Sequence, residues 1–343
     1  MSRSRGERVS DVRRLMAAAR AVYARRASLE ADLVRSTGLS PQGVELGFMS
    51  LERDATDDEL ASLVEAAGDA RHVHVVLSAN VFVAPMRALA LARAAAPRVT
   101  VRPSPRDPVI ARALVEAAGD DGISLVEERD VGAIDADAIH VYGRDVTIAE
   151  VSARARSGTV VLGHGAGLGI AVISPGADLC ASAAALSLDV AAFDQRGCLS
   201  PRVAVVVGDA ERASSFAAAL DAALTDLGPR IPRGTLLDAE RGEAVHWCDT
   251  LAFAGRLWRG PQHAVGLDPG TGLAIPPTGR HVLVVSSDDR AGVAARIAPI
   301  RSAIVIAGSD DPSLAQAVAP AHARAARLGA MQRPPLDGPV DRR

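Results

Sequence analysis

The chain has 343 residues with 38 lysine and arginine side chains against 41 aspartates and glutamates; a formal charge of −3 supplies no basic field for a phosphate backbone. Aromatic residues make up only 3%, which leaves little to stack bases on and speaks against a nucleic-acid partner. Three cysteines, Cys180, Cys198 and Cys248, are too few and too irregular for a disulfide framework or a structural zinc cluster, so a reducing, cytoplasmic setting without metal is expected.

The N-terminus carries Arg3, Arg5, Arg8, Arg13 and Arg14 but no secretion-signal pattern, and helical periodicity over 10–70 breaks at Ser36-Thr37-Gly38-Leu39-Ser40-Pro41. Residues 1–65 therefore read as an N-terminal helical segment. An apolar run at 73–77, a helical stretch to 96 and a second run at 99–101 closed by Arg102-Pro103 predict a βαβ unit. A helix over 110–118 follows, with strands over 123–126, 138–142 and 159–162 and then the glycine-rich segment 163–169. The longest uncharged run, 157–177, is punctuated by glycine, so no transmembrane segment is expected. This alternation predicts a mostly parallel sheet whose ligands lie beyond the carboxyl ends of its strands, where Asn80, Arg102, Gly143 and His164 fall. A second series starts near Cys198: strand 203–207, helix 210–224, a turn-rich middle over 228–279, strand 282–285, helix 291–297 and strand 303–307. The proline-rich stretch 331–343 is expected to lie extended on the surface or on a partner.

Lone cysteines are most often core filling, and Cys180, in an alanine-rich stretch, is read that way. Cys248 alternates with His246 across Trp247, which would put both on one face of a strand without completing a zinc site. Cys198 differs, because Gly197 before it and a strand-like run after it predict a tight approach to a buried element, near a helix start whose backbone donors favour a thiolate.

The segment Asp194-Gln195-Arg196-Gly197-Cys198-Leu199-Ser200-Pro201-Arg202 resembles the active-site motif of the LuxC-type acyl-CoA reductases, a branch of the aldehyde dehydrogenase superfamily. The similarity extends from about residue 70 to the end of the chain. It implies an α/β, aldehyde dehydrogenase-like fold with a parallel-sheet cofactor domain and a smaller α/β catalytic domain. It further implies NADPH-dependent reduction of a fatty acyl-CoA to the aldehyde through an acyl-enzyme on Cys198. The oxyanion-holding asparagine of the superfamily falls on Asn80, and the strand-end residue at the adenosine ribose falls on Arg102, with Pro103 and Ser104 beside it. An arginine there can fork onto a 2′-phosphate, which leans the choice to NADPH. Gly143 and Arg144 resemble the cofactor-facing start of a helix, Gly163 is assigned beside the nicotinamide, and His164 is read as either a proton relay or a structural residue. The end segment 329–343 resembles the closing motif of the family.

These assignments divide the chain into the helical segment, a cofactor domain over 66–192, a catalytic cysteine domain over 193–310, and a tail over 311–343 that returns to the cofactor domain or a partner. A homo-oligomer or an acyl-transfer partner protein is expected. The hydrolytic enzymes of the superfamily carry a glutamate base where this chain has Val161-Leu162-Gly163-His164, an absence that disfavours water attack and fits exchange with a thiol. The chain is shorter than typical members, which leaves open a noncatalytic scaffold, or a reductase that uses acyl carrier protein or an acyl phosphate.

Overall fold

Runs of β-branched residues alternating with alanine-rich stretches build one sheet in each of two units in the computed structural model, which describes residues 3–51, 54–119, 122–268, 270 and 272–336. The first unit comprises Met1–Thr37, Glu45–Ala166 and Pro335–Arg343, the second Gly38–Val44 and Gly167–Pro334. Among the described residues no helix is long and apolar enough to cross a membrane.

Helices α1 (Arg5–Ala24), α2 (Glu30–Thr37), α3 (Pro41–Phe48) and α4 (Asp57–Ala66) precede a βα series. That series runs β1 (His72–Val76), α5 (Ala84–Ala95), β2 (Arg98–Arg102), α6 (Val109–Ala118), β3 (Ile123–Leu125), β4 (Ala138–Tyr142), α7 (Asp145–Arg154) and β5 (Val160–His164). The five strands pair in parallel in the order β3-β2-β1-β4-β5, so the order reverses between β1 and β4. At α1 a capping box of Ser4 and Glu7 satisfies the first backbone donors. Val12, Leu15, Met16, Ala19 and Val22 then form one apolar face, which packs on α4, α5 and α6. Buried Asp11 reinforces this packing by pairing with Arg3 and with Arg93. The first helix is thus part of the helical layer of the first unit, not a separate preface.

The second unit holds β6 (Leu168–Ile173), α8 (Leu179–Ala191), β7 (Pro201–Val207), α9 (Ala210–Leu227), α10 (Asp238–Ala254), β8 (Arg256–Arg259) and β9 (Ala264–Leu267). It is completed by β10 (His281–Ser287), α11 (Arg290–Ile297), β11 (Ile304–Ser309), α12 (Pro312–Val318) and β12 (Arg324–Arg327). Its seven strands run in the order β12-β11-β6-β7-β10-β9-β8, parallel except for the β8–β9 pair at one edge. Period-2 alternation divides the core in two: Ile170, Val172, Val203 and Val205 face one layer with Trp247 and Leu251, while Ala171, Ile173, Ala204 and Val206 face another with Phe216 and Leu220. Each large side chain buried in this way contributes about 1.5–3 kcal/mol.

Several sequence expectations are corrected here. The border between the units falls after Ala166, not at 192/193, because the LGIAVI run is β6 and pairs with β7 and β11. The middle over 228–279 contains a 17-residue helix, α10, and two strands. Cys248 lies on that helix, buried beside Trp247 while His246 is exposed, so the shared strand face does not exist. Cys180, read as core, is exposed in the first turn of α8. The tail does not begin at 311 either, since α12 and β12 complete the second sheet and Met331 is fully buried.

Candidate active site

Cys198 is half-buried in a turn closed by Ser200 N donating to Gly197 O at 3.1 Å, directly ahead of the amino end of β7. No α-helix starts at the thiol, contrary to expectation; the residues before it are the 3-10 turn Ala192–Gln195 that extends α8. In that turn Phe193, Asp194 and Gln195 have φ of 55°, 49° and 61°. Three successive non-glycine residues in the left-handed region cost roughly 3–6 kcal/mol in all, and such strain persists only where the surroundings over-determine it.

The motif itself supplies the ties. Asp194 is 1% exposed; its Oδ1 accepts from Arg280 Nε at 2.8 Å, its Oδ2 from Gly234 N at 2.9 Å, and its backbone carbonyl from Gly279 N at 3.0 Å. Arg280, also buried, has φ of 69° and donates through Nη1 to Ile231 O at 2.7 Å. Gln195 is 0% exposed and bridges Pro201 and His281 through its carboxamide. Arg196 makes a fork onto Glu240 of α10, with both bonds at 2.9 Å, and donates to Thr235 O. Burial pushes Glu240 upward, but the Arg196 hydrogen bond and charge outweigh it and hold that carboxyl below its ordinary range. Burial drives His281 down to about 4, so it is neutral at pH 7, with Nδ1 as donor to Thr278 O at 2.9 Å.

On the other side of the turn, Gly169 N donates to Ser200 O at 2.9 Å. A Cβ at Gly169 would stand 2.7 Å from Leu199 O, so only glycine admits β6 this close to the cysteine turn. The buried Met331 side chain fills the space over Gly169 and Gly308, and the carboxylate of Asp189 accepts from Gly329 N and Met331 N at 2.6 and 2.9 Å. Gly329 and Met331 are thereby fastened beside the turn, while residues 337–343 of the expected extended tail lie outside the described residues.

In the first unit the predicted residues gather at the carboxyl ends of the strands. Asn80 is exposed after β1, and its Oδ1 accepts from Arg106 Nη2 at 3.1 Å. A guanidinium only donates, so the amide oxygen must face it and the Asn80 NH2 group turns the other way, ready to donate. Arg102 ends β2, half-buried, with Nη1 donating to Arg129 O at 3.0 Å and its pKa lowered by burial. Pro103 and Ser104 follow it, half-buried. Gly143 follows β4 and donates to His164 O at 3.3 Å, and exposed Arg144 is the N-cap of α7. Gly163 and His164 are the last residues of β5 rather than loop residues. The His164 ring stacks on Tyr142 at 4.2 Å and 4°, with His140 at 5.6 Å, a packed array on one sheet face.

These residues fit a nicotinamide adenine dinucleotide. Helices α5 and α7 start on either side of the reversal in strand order; at α5 the first turn is used up, with Ala84 N and Met86 N bonded to Val81 O and Val83 O and Pro85 lacking an N–H, whereas the N-cap of α7 has no side-chain bond and its first turn suits a pyrophosphate. Beside the end of β2 a cavity of about 460 Å³ is lined by Pro103, Val115, Leu125 and Val126 together with the charged Arg112, Glu116 and Glu127, a mixed wall that offers an adenine apolar contact on one part only. Arg106 and Arg280 escaped sequence reasoning, since nothing local marks an arginine as the partner of a residue 26 or 86 positions away.

The family profile described as Acyl-CoA reductase (LuxC) matches residues 45–339. The chain belongs to that family. It is an acyl-CoA reductase with an aldehyde dehydrogenase-like fold. No curated protein sequence matches it. Among solved structures it is similar to an aldehyde dehydrogenase of Mycobacterium tuberculosis complexed with NAD+, at 15% identity and a TM-score of 0.70, over 94% of this chain and 77% of that one. It is also similar to an aldehyde dehydrogenase of Pseudomonas syringae complexed with NAD+ and octanal, at 15% identity and 0.66, over 94% and 77%. A lactaldehyde dehydrogenase matches at 16% identity and 0.69, over 94% and 78%.

Proposed function

We propose that this LuxC-family reductase converts a fatty acyl-CoA to the aldehyde with NADPH, through a thioester on Cys198. The observation that carries the reading is the turn of Cys198, held in a strained left-handed approach by Asp194, Gln195 and Arg196. Such strain is characteristic of active sites and is out of proportion for core filling.

In this reading the Cys198 sulfur attacks the thioester carbonyl carbon; the new C–S bond forms as the bond to coenzyme A breaks, and coenzyme A leaves as a thiolate that takes up a proton. The Cys198 backbone N–H and the NH2 group of Asn80 stabilise the oxyanion, and Arg106 sets the Asn80 amide in its donor orientation. When bound, the nicotinamide nucleotide supplies the hydride that takes the acyl group to the aldehyde level. Scission of the Cys198 S–C bond then releases the aldehyde and regenerates the thiolate. Arg102, Pro103, Ser104, Gly143, Arg144 and Gly163 would hold the cofactor, with Arg102 on a 2′-phosphate. His164, stacked on Tyr142, is assigned a packing role in preference to a proton relay. The octanal in the Pseudomonas syringae structure belongs to the product class proposed. A cytoplasmic homo-oligomer, or one that hands its acyl group to a partner protein, is the setting we assign.

The test is mass spectrometry of the protein after incubation with an acyl-CoA panel, alongside NADPH oxidation. An acyl adduct on Cys198, absent from Cys198→Ser with nucleotide binding retained, is expected. An adduct on Cys180 or Cys248, or no oxidation of NADPH with any ester, would overturn the reading.

A further inference from the structure

We propose that Gln195 is a positioning residue for the nucleophile: its carboxamide closes the loop that carries Cys198 and so sets the direction in which the sulfur is presented. The proposal rests on Cys198 as the acylated residue. Gln195 has no exposed surface, and its carboxamide is saturated: Nε2 donates to Pro201 O at 2.8 Å and His281 O at 2.9 Å, while Oε1 accepts from His281 N at 2.6 Å. The side chain therefore joins the two ends of the segment 195–201, with Cys198 at its middle, and pins both ends to the first residue of β10.

The backbone argues that this bridge does more than satisfy buried groups. Gln195 adopts φ of 61° at the end of the left-handed run, and a return to the right-handed region would swing the carboxamide away from Pro201 and His281. The neighbouring ties hold the segments flanking the thiol: Asp194 and Arg196 the approach, Gly169 N on Ser200 O the exit. The Gln195 side chain connects one side of Cys198 to the other. Reacting atoms misplaced by a small shift lose rate far more than binding.

Gln195→Gly separates the two roles. Glycine enters the left-handed region without steric cost, so this variant removes the carboxamide and the strain together. The expected result is a folded protein whose single-turnover acylation by an acyl-CoA falls roughly ten- to a hundredfold, with the KM for acyl-CoA and the nucleotide dissociation constant retained. Alkylation of Cys198 by iodoacetamide, a small reagent that needs little orientation, should stay within about twofold of wild type, which shows the thiol itself intact. Wild-type acylation by the variant would overturn the proposal alone, and a variant that fails to fold would make Gln195 a folding tie and overturn it too. Acylation of the wild-type protein elsewhere than Cys198 would overturn the functional reading beneath it.

Discussion

Replacing Asp194 with alanine would leave the Arg280 guanidinium, 2% exposed, with only Ile231 O among its described partners, and would strip Gly234 N of its acceptor. Breaking a buried ion pair by removing one partner costs about 3–5 kcal/mol, because the remaining charge is desolvated without compensation. Alanine is also less tolerant than aspartate of the φ of 49° at this position, which adds to the loss. Against an ordinary domain stability of about 5–15 kcal/mol this is about a fifth or more, or a fall in Tm of roughly 6–20 °C for a unit of this size. Both tryptophans, Trp247 and Trp258, belong to the second unit, so their fluorescence during urea unfolding reports that unit selectively. The midpoint of Asp194→Ala should drop with little change in slope. Adding Arg280→Met should recover part of the loss, since removing both charges is far cheaper than removing one. A single variant within about 1 kcal/mol of wild type, or a double variant no better than the single, would refute the buried pair as the support of the left-handed turn.

Asn80→Ala should slow acylation about a hundredfold in single-turnover kinetics, the typical worth of one oxyanion donor, and a wild-type rate would remove Asn80 from the site. Arg102→Ala should weaken NADPH more than NADH by roughly 1.5–3 kcal/mol in calorimetric titration, and equal weakening of both would withdraw the 2′-phosphate contact. Acid should loosen the first unit before the second. Burial lowers His72 and takes His74 down to about 4, so between the ordinary 6.5 and that value only the unfolded chain binds the protons; stability is whole above pH 6.5 and is lost as pH falls. In the second unit His281 has the same slope, but burial raises Asp189 to about 7, and a carboxyl protonated only in the folded chain contributes stability below about pH 4 that is lost as pH rises through 7. The two slopes oppose each other there, with His263, lowered by burial, adding to the first; in the first unit Asp107, raised by burial, opposes the two histidines, but by a smaller shift than that of Asp189. Hydrogen exchange of β1 should therefore accelerate between pH 6.5 and 4 while the tryptophan-monitored urea midpoint changes less, and the reverse order would contradict the assignment.

How much of this was legible in the chain differs by element. The βα rhythm from β1 to β5 was readable because each strand is a short β-branched run and each helix an alanine-rich stretch of sufficient length, both local properties. The glycine beside Cys198 and the motif around it marked the thiol, and the carboxyl-end rule placed Asn80, Arg102 and Gly143. The glycine-rich stretch hid β6, because a strand begun by glycines reads as a loop until Leu199 and Val305 are seen to require their missing side chains. Helix α10 was masked by a segment whose apolar positions are sparse, and its helical state rests on burying Trp247, Cys248 and Leu251 against the second sheet. Only the tertiary structure decided how the segment around Cys198 is held. The approach to Cys198 is left-handed over 193–195 because Asp194 meets Gly234 and Arg280, 40 and 86 positions away, and Gln195 meets His281, again 86 away. Local propensity opposes that conformation in each of Phe193, Asp194 and Gln195, so the energy that enforces it comes from contacts between distant segments.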